Sequence, residues 1–461
     1  MQSKGNTSSN KPMSPWGNGL RKIVHEKISW LLPFWRWYYS AKMARYQRLE
    51  RGKASIAYAR IDARIASLKR EPRKFRVGFY VYNCAVFQLE RVFQQMLQDS
   101  DFDPIIVVSF FNGPGSEERQ KSNRLIHDKS IAVLRDRYGA ERVLDSWEGE
   151  KANDYSDMFD LCASMCPYED LIECCNIRYL ARKGIPVIYA HYGFEGGDVA
   201  DEGVLRMPAF GYLWRFYMGN KAMKDLVDHI YPLQRNRHAA VLSGNPKIEP
   251  LAFQRHQNRT RKRIIIAPHH TIDPAEKFHI SNFVRFSDFL LSLPERYPTI
   301  DWVFRPHPNL MMKMVDKGYW TTAQREKYLD KWRSYANAEY QEGGDYYEVF
   351  VNSDALIQDC SSFLAEYHAT GHPQCYMLKD ENHAKTQYNG FGLELLDHAY
   401  KAYSESDIIS FIESVVIAGN DTMKEDRRQF LEKTLLLNYP HVSEFIVADI
   451  KRSLMCGEER R

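Results

Sequence analysis

The sequence of 461 residues contains no apolar run close to the roughly 20 residues that a membrane-spanning helix needs. The best candidate, residues 28–39, is short, is interrupted by Pro33 and contains Arg36. It does not read as a signal peptide, because no cleavage site of small residues follows it. The sequence therefore predicts no membrane span.

Several catalytic signatures are also missing. There is no P-loop, no GxGxxG turn after a strand, no HExxH and no GxSxG. Their absence argues against a P-loop NTPase, a typical dinucleotide enzyme, a zincin and an ordinary serine hydrolase. The 8 cysteines form no CxxC pair and show no zinc-ligand spacing, which fits a reducing cytosol better than a disulfide scaffold.

The net charge of +4 is too small for a dedicated nucleic-acid binder, so no nucleic-acid partner is expected. This charge is unevenly placed. Residues 1–76 carry 18 Lys and Arg against 4 Asp and Glu, a net of +14, and the rest of the chain carries −10. The asymmetry predicts a basic N-terminal arm, residues 1–74, that contacts an anionic partner, either membrane lipid or nucleic acid. Of the two, an anionic membrane surface is the expected partner.

The arm also mixes aromatic with basic side chains. Residues 20–40 combine Trp and Tyr with Lys and Arg, which suits the lipid headgroup layer, and the alternative is docking on the protein's own body. Residues 41–70 are predicted to form one helix with a thin apolar stripe. This stripe suits a bilayer surface or a partner helix. It consists of Ile56, Ile61, Ile65 and Leu68.

From residue 75 the pattern becomes short apolar strands alternating with helices, which predicts an α/β fold with doubly wound parallel sheets. The predicted strands cover residues 75–82, 103–111, 141–145, 157–162, 185–193, 211–220, 261–270, 299–308, 351–362 and 371–378. We predict two α/β halves, residues 75–240 and 241–420, followed by C-terminal helices over 421–461. Ligands of such sheets bind beyond the carboxyl ends of the strands.

Histidines and serines follow several of these strands. His191 follows VIYA, His269 and His270 follow IIIAP, and His307 follows WVFRP. Ser361 and Ser362 stand where a strand meets a helix, and backbone N–H groups and hydroxyls at a helix start bind phosphate well. A single histidine is more often structural, and Ser361 alone would be read as a helix cap. Together they predict a phosphate site.

The segments FRPHPNL (304–310) and VNSDALIQDCSSFLAEYHATGHP (351–373) resemble the signature region of the CDP-glycerol glycerophosphotransferases, the teichoic-acid primases and polymerases. GNPKIEPL (244–251) resembles the segment that opens the family's second domain. Glu366 stands where the family has a downstream Asp. The residues that match the family pattern are Ser353, Asp354, Leu356, Ile357, Asp359, Ser361 and Ser362.

This resemblance implies a GT-B-like fold, with two Rossmann-like domains facing across a cleft and the last helices packing back over the first. It also implies transfer of a polyol phosphate, most simply glycerol phosphate from CDP-glycerol, with release of CMP. The acceptor would be a hydroxyl of a glycan or lipid-linked glycan in envelope or capsule polysaccharide synthesis. The expected location is the cytoplasmic face of the bacterial inner membrane, as a peripheral protein held by the basic arm.

The resemblance also implies site roles. His191 is the expected general base, because a neutral imidazole takes up a proton near neutral pH. His307 and Arg305 are expected to stabilise the charge on the leaving nucleotide, with Ser361 and Ser362 on phosphate oxygens. Asp359 and Glu366 are expected to position the helix or contact the donor. This set substitutes for a metal, so no metal ligands are predicted and no cofactor is required, although Mg²⁺ is not excluded.

Two segments differ from the family pattern. The family's W-H-G-T reads AHYGFEGGD here, and its A-P-T-W-R reads APHHT, which places His269 and His270 at the expected donor site. These differences leave two alternatives open. One is a GT-B glycosyltransferase that uses a nucleotide sugar, with His191 still the base. The other is a non-catalytic, membrane-bound scaffold of a polysaccharide assembly complex.

Overall fold

The computed structural model of the chain describes most of the sequence after residue 31. The described residues are 32–69, 73–113, 117–149, 151–194, 196–197 and 204–455. Residues 1–31, which include Trp30, fall outside them, and so does the part of the lipid-contact prediction that concerns these residues. So do Glu195 and Asp198 of the AHYGFEGGD segment, and residues 199–203 that follow it.

The first domain is built on a parallel sheet of seven strands, of which the five inner strands are buried along nearly their whole length. Such strands read as continuous apolar runs because helices cover both faces. The sheet order is β3-β2-β1-β6-β7-β8-β9. Its elements are α1 (Leu32–Leu68), β1 (Phe75–Val81), α2 (Glu90–Gln98), β2 (Phe102–Val108), α3 (Glu117–Tyr138), β3 (Val143–Asp145), the hairpin β4 (Trp147–Glu148) and β5 (Lys151–Ala152), β6 (Leu161–Ser164), α4 (Ile177–Arg182), β7 (Val187–Ala190), β8 (Arg215–Met218), α5 (Lys221–Ile230), α6 (Pro232–Arg235) and β9 (Ala240–Leu242).

The second domain is a six-stranded parallel sheet in the order β12-β11-β10-β13-β14-β15. Its core holds Trp302, Trp332 and Phe304, with the Phe304 and Trp332 rings stacked 4.6 Å apart. Its elements, with the helices that end the chain, are β10 (Arg263–Ala267), α7 (Phe283–Arg296), β11 (Asp301–Phe304), α8 (Leu310–Asp316), α9 (Thr322–Ser334), β12 (Ala338–Tyr340), α10 (Tyr347–Val351), β13 (Ala355–Gln358), α11 (Ser361–His368), β14 (Gln374–Met377), α12 (Glu381–Gln387), α13 (Gly390–Asp397), β15 (Tyr400–Ala402), α14 (Glu405–Ser410), α15 (Lys424–Phe430) and α16 (Val442–Met455).

The apolar stripe of the arm packs inside the protein, which corrects its interpretation as a bilayer surface. Ile61, Ile65 and Leu68 are buried in the same core as the first sheet. The Tyr58 hydroxyl donates to the carbonyl oxygen of Leu213 at 2.7 Å. Of the predicted stripe only Ile56 is exposed, with 60% of its surface accessible.

The last helix returns to the first domain. The inner face of α16, from Val442 to Leu454, is buried in the first core. Lys451 pairs with Asp99 at 3.1 Å, just after α2. Within the described ranges, no helix combines the length and the apolar character needed to cross a membrane.

Several predicted elements differ from the structure. The segment 351–362, predicted to be a strand that runs into a helix start, forms a strand only at β13, because α10 extends to Val351. The predicted helix start is confirmed at Ser361. The segment 211–220 forms a strand only at β8, after a 3-10 turn over Pro208–Tyr212. The predicted strand over 157–162 begins only at Leu161, after the 3-10 turn Ser156–Met158.

Candidate functional site

Three neighbouring strands of the second sheet bring the predicted second-domain residues to one edge. Ile266 pairs with Phe304 and Ala267 pairs with Gln358, so β11, β10 and β13 end side by side. The segments that follow them therefore share the carboxyl edge of the sheet, where ligands of such folds bind. These segments carry His269, His270, Arg305, His307, Asp359, Ser361 and Ser362.

The three histidines of this edge form a contiguous cluster. The ring centroids of His270 and His307 lie 4.0 Å apart, and those of His269 and His270 lie 4.3 Å apart. The backbone N–H of His307 donates to the Pro268 carbonyl at 3.0 Å, which locks the two loops together. His307 lies 37 positions after His270 in the sequence, yet the sheet order brings it into contact with the pair of His269 and His270.

Burial keeps these imidazoles uncharged. Burial, with the neighbouring His270 and His307, lowers the pKa of His269 well below its usual range. Burial and the nearby Lys313 lower the pKa of His270 to about 4. Burial, His270 and Lys313 lower the pKa of His307 to about 3. All three rings are neutral at neutral pH, so any positive charge for a bound phosphate must come from elsewhere.

Asp359 is fully buried and holds the loops around the histidines. Its carboxylate accepts from the backbone N–H groups of His269 and Asn282, each at 2.6 Å, and from the Ser281 hydroxyl at 3.2 Å. Burial raises the pKa of Asp359 to about 7, and these three hydrogen bonds oppose the rise. Asp359 therefore positions the first turn after β10 and the start of α7.

The start of α11 carries the two serines without a serine cap. Cys360 is the residue before the helix, and Ser361 is its first helical residue. The interpretation of Ser361 as a mere cap is therefore wrong. The thiol of Cys360 is buried, which raises its pKa, and the N–H groups of Phe363 and Ser362 oppose the rise. Both serines are half-buried.

Two residues that were predicted to act on the nucleotide donor, Arg305 and Glu366, make their hydrogen bonds to other residues of the protein. Arg305 is buried and donates to Gln341 Oε1 at 2.8 Å and to the Gly344 carbonyl at 2.5 Å. Glu366 is fully buried, pairs with Lys247 Nζ at 2.8 Å and accepts from the Tyr346 hydroxyl. Both side chains therefore have hydrogen-bonding partners within the protein, and their predicted roles toward the donor stay predictions.

His191 lies at the carboxyl end of β7 in the first domain and is buried, with 3% of its surface exposed. Its Nδ1 lies 3.2 Å from both the backbone nitrogen and the carbonyl oxygen of Gly193. If Nδ1–H donates to the carbonyl, the lone pair is left on Nε2, which is the form a general base needs. The ring stacks on Tyr192 with centroids 4.8 Å apart.

The loop after His191 meets the second domain at the serines. A Cβ built on Gly193 would lie 3.9 Å from Ser362 Oγ. Further along the same loop, the Asn389 backbone N–H donates to the Gly196 carbonyl at 3.0 Å. The structure thus brings the His191 loop and the start of α11 together, although they belong to different domains.

Sequence reasoning missed the residues that organise this edge. Thr271 binds His269 Nδ1 at 2.9 Å through its hydroxyl, and Gln88 donates to the Ala190 carbonyl at 3.0 Å beside His191. Lys247, in the segment GNPKIEPL, is the partner of Glu366. Both residues lie in segments that resemble the family pattern, Lys247 in 244–251 and Glu366 in 351–373. That shared resemblance was the available signal that the two segments lie close together.

Comparison with solved structures shows the fold class. The chain superposes on a UDP-N-acetylglucosamine 2-epimerase with a TM-score of 0.55 at 10% identity, covering 85% of this chain and 99% of that one. It superposes on the wall teichoic acid polymerase TagF with a TM-score of 0.51 at 12% identity, covering 89% of this chain and 98% of that one. No protein-family model matches the sequence, and no curated protein matches it either.

These neighbours and the two parallel sheets define a GT-B-like fold, as the sequence predicts. At such low identity the likeness concerns the fold alone.

Proposed function

We propose that this protein is a GT-B transferase that moves a polyol phosphate from a CDP-activated donor to an acceptor hydroxyl and releases CMP. The observation that carries the proposal is the approach of the His191 loop to Ser362 across the two domains. A base on one side and a helix start with two hydroxyls on the other are what phosphoryl transfer between two substrates requires.

The proposed step uses this chain's own residues. His191 Nε2 takes the proton of the acceptor hydroxyl while the oxygen of that hydroxyl attacks the β-phosphorus of the donor. The bond between the β-phosphorus and the bridging oxygen breaks, and CMP leaves with that oxygen. The Ser361 and Ser362 hydroxyls and His307 Nε2–H donate to phosphate oxygens. His307 offers this proton because its Nδ1 already accepts from the Asn309 N–H at 3.1 Å.

A nucleotide-sugar donor is the second candidate. The fold shared with a UDP-N-acetylglucosamine 2-epimerase and with the teichoic acid polymerase is equally compatible with such a donor. In this case His191 remains the base, and the attacked atom is a sugar carbon instead of phosphorus.

A donor panel separates the two candidates. Full-length protein is incubated with CDP-glycerol, CDP-ribitol, UDP-sugars and a soluble polyol-phosphate acceptor, and nucleotide products are separated by chromatography. CMP from a CDP-polyol supports the proposal, and UDP from a sugar donor supports the second candidate. Absence of every nucleotide product, with the acceptor and all of the donors present, favours the scaffold alternative.

We also propose that the acceptor lies at an anionic membrane surface, on the cytoplasmic face of a bacterial inner membrane. The support is the charge of the arm, with eight Lys and Arg and one Glu in residues 1–47. Residues 48–68 pack against the first domain, so lipid contact would fall to the part of the chain before them.

A further inference from the structure

We propose that His269, His270 and His307 form a binding site for one divalent transition-metal ion such as Zn²⁺. One ring nitrogen from each residue lies within 4.8 Å of those of the other two. No metal ligands are predicted from the sequence, because His307, Arg305 and the two serines are expected to substitute for a metal.

The cluster has the features of a histidine metal site. Zinc binds imidazole nitrogen at about 2.0–2.1 Å in a tetrahedral shell, so its ligand atoms lie about 3.4 Å apart. The three nitrogens, which lie within 4.8 Å of one another, therefore need to close by at most about 1.4 Å. His270 Nδ1 is buried and makes no hydrogen bond to the described residues.

The surroundings of His269 resemble the support that metal ligands usually have. Its Nδ1 is bound to Thr271 Oγ1 at 2.9 Å, and its backbone is held by Asp359. A hydrogen bond at the second ring nitrogen fixes the orientation of a ligating imidazole and leaves the other nitrogen to the metal. His269 is thus the anchored member of the set.

A metal would place a positive charge directly at the cluster, whereas the two neighbouring cations are held by other groups. Lys313 is paired with Glu276, and Arg305 donates to Gln341 and Gly344. Three protein ligands leave a fourth position open, as in catalytic zinc sites. This use of the site rests on the proposed function: an oxygen of the donor pyrophosphate would take the open position, where the cation stabilises the leaving nucleotide.

Metal binding makes a specific structural demand on His307. Its Nδ1 now accepts from the Asn309 N–H, so Nε2 carries the ring proton. Binding through Nε2 moves the ring proton to Nδ1 and breaks the bond from Asn309. In the metal-bound protein the cation therefore takes the place of the Nε2–H donation to the donor phosphate that His307 makes in the metal-free protein. Imidazole-only ligation also favours Zn²⁺, Co²⁺ or Ni²⁺ over Mg²⁺ and Ca²⁺, which prefer oxygen.

The test is metal binding by the full-length, chelator-stripped protein. Co²⁺ is titrated while visible absorption is followed, and Zn²⁺ binding is measured by equilibrium dialysis. We expect one equivalent, an absorption band of tetrahedral Co²⁺, and zinc–nitrogen distances of about 2.0–2.1 Å by X-ray absorption. The Asn309 amide should exchange faster with metal bound, and Mg²⁺ should not compete.

Variants assign the site. His270→Ala and His269→Gln should each weaken Zn²⁺ binding by roughly tenfold or more, while His383→Ala should not. His383 is the matched control, because its ring lies 5.7 Å from that of His279 in the same domain. Circular dichroism confirms that each variant is folded, and His270, which is only half-buried, is the substitution that disturbs packing least.

Two outcomes would overturn the site: less than one equivalent of bound metal, or equal affinity in His270→Ala and wild type. The readouts also separate this proposal from the proposed function. Stoichiometric zinc binding without any transfer upholds the site and counts against the function. CMP release by protein that binds no zinc overturns the site and leaves the function standing.

Discussion

His191 differs from the other histidines in its surroundings. Burial, together with the neighbouring histidines and Lys313, lowers the pKa of the three second-domain rings and keeps them neutral. His191 instead has aromatic neighbours, Tyr192 and Tyr189, and a backbone partner that accommodates either ring tautomer. Gly193 can hold the imidazole in the same orientation in either tautomer, which suits the role of general base proposed for His191.

We expect His191→Ala to lower kcat for CMP release by roughly 10²-fold or more, with little change in donor KM, because only proton transfer is lost. The rates are measured with CDP-glycerol at saturating acceptor. His229→Ala, at an exposed position of α5, serves as the control. Activity within a few-fold of wild type in His191→Ala would remove His191 from the mechanism.

The serine pair should act on binding more than on chemistry. Changing Ser361 and Ser362 together to Ala removes two hydroxyls and leaves the backbone N–H groups at the helix start. We therefore expect donor KM to rise more than kcat falls. An unchanged donor KM would place the start of α11 away from the phosphates.

At the scale of elements, the long buried strands are readable from sequence. The apolar runs in 75–82 and 103–111 correspond to β1 and β2 within a few residues, because strands covered on both faces are continuously apolar. The strands β9, β12 and β15 were not predicted. Each has three residues and lies at or near a sheet edge, and β12 and β15 contain charged residues.

Side-chain direction was the part of the site that the sequence did not contain. The pattern RPHP places Arg305 and His307 at one strand end but does not show that Arg305 turns inward to Gln341 and Gly344. The pair of Lys247 and Glu366 joins residues 119 positions apart, so no local pattern reveals it. The strand-end positions were predictable, and the partners of their side chains were not.

This pair fastens the segment before β10 to α11. Removing Lys247 leaves a carboxylate with 0% exposure beside only the Tyr346 hydroxyl. We expect Lys247→Met to lower the free energy of unfolding by about 3–5 kcal/mol, measured by urea denaturation. The double variant Lys247→Met, Glu366→Gln should recover part of that loss.

The control is Lys221→Met, because the pair of Lys221 and Asp225 is exposed on α5 and contributes little. Equal stability losses in the Lys247 and Lys221 variants would show that Glu366 does not depend on its partner.

At the scale of the whole molecule, the two domains are in close contact through the backbones of Gly196 and Gly392, with no space for a side chain between them. A Cβ on Gly392 would lie 2.0 Å from the Gly196 carbonyl oxygen, whereas a Cβ on Gly390 in the same helix would meet nothing within 4 Å. The rings of Phe194 and Phe391 stack beside this contact. Gly392 is therefore required by the interface and Gly390 is not.

We expect Gly392→Ala to force the His191 loop away from α13, because the obstacle is a backbone atom that cannot rotate aside. The measurements are the melting temperature and the radius of gyration by small-angle X-ray scattering. Overpacking typically costs about 1–3 kcal/mol, and Gly390→Ala should be neutral. Identical behaviour of the two variants would mean that this interdomain contact is not maintained in solution.

The arm prediction also changes at this scale. Deleting residues 1–47 should leave a folded protein that no longer sediments with anionic liposomes at low salt, since each basic residue near such a surface adds about 1 kcal/mol. Deleting residues 1–68 should destabilise the first domain, because Ile61, Ile65 and Leu68 belong to its core. Neutral liposomes are the control. Full-length protein that ignores anionic liposomes would refute a lipid-binding role.

The most direct test of the central claim is the structure of the protein in complex with CDP-glycerol. The account predicts the β-phosphate within hydrogen-bond distance of Ser361 or Ser362 and of His307, with its open side toward His191. A donor bound elsewhere, or with its diphosphate too far from the start of α11 for a hydrogen bond, would contradict the assignment of this edge as the transfer site.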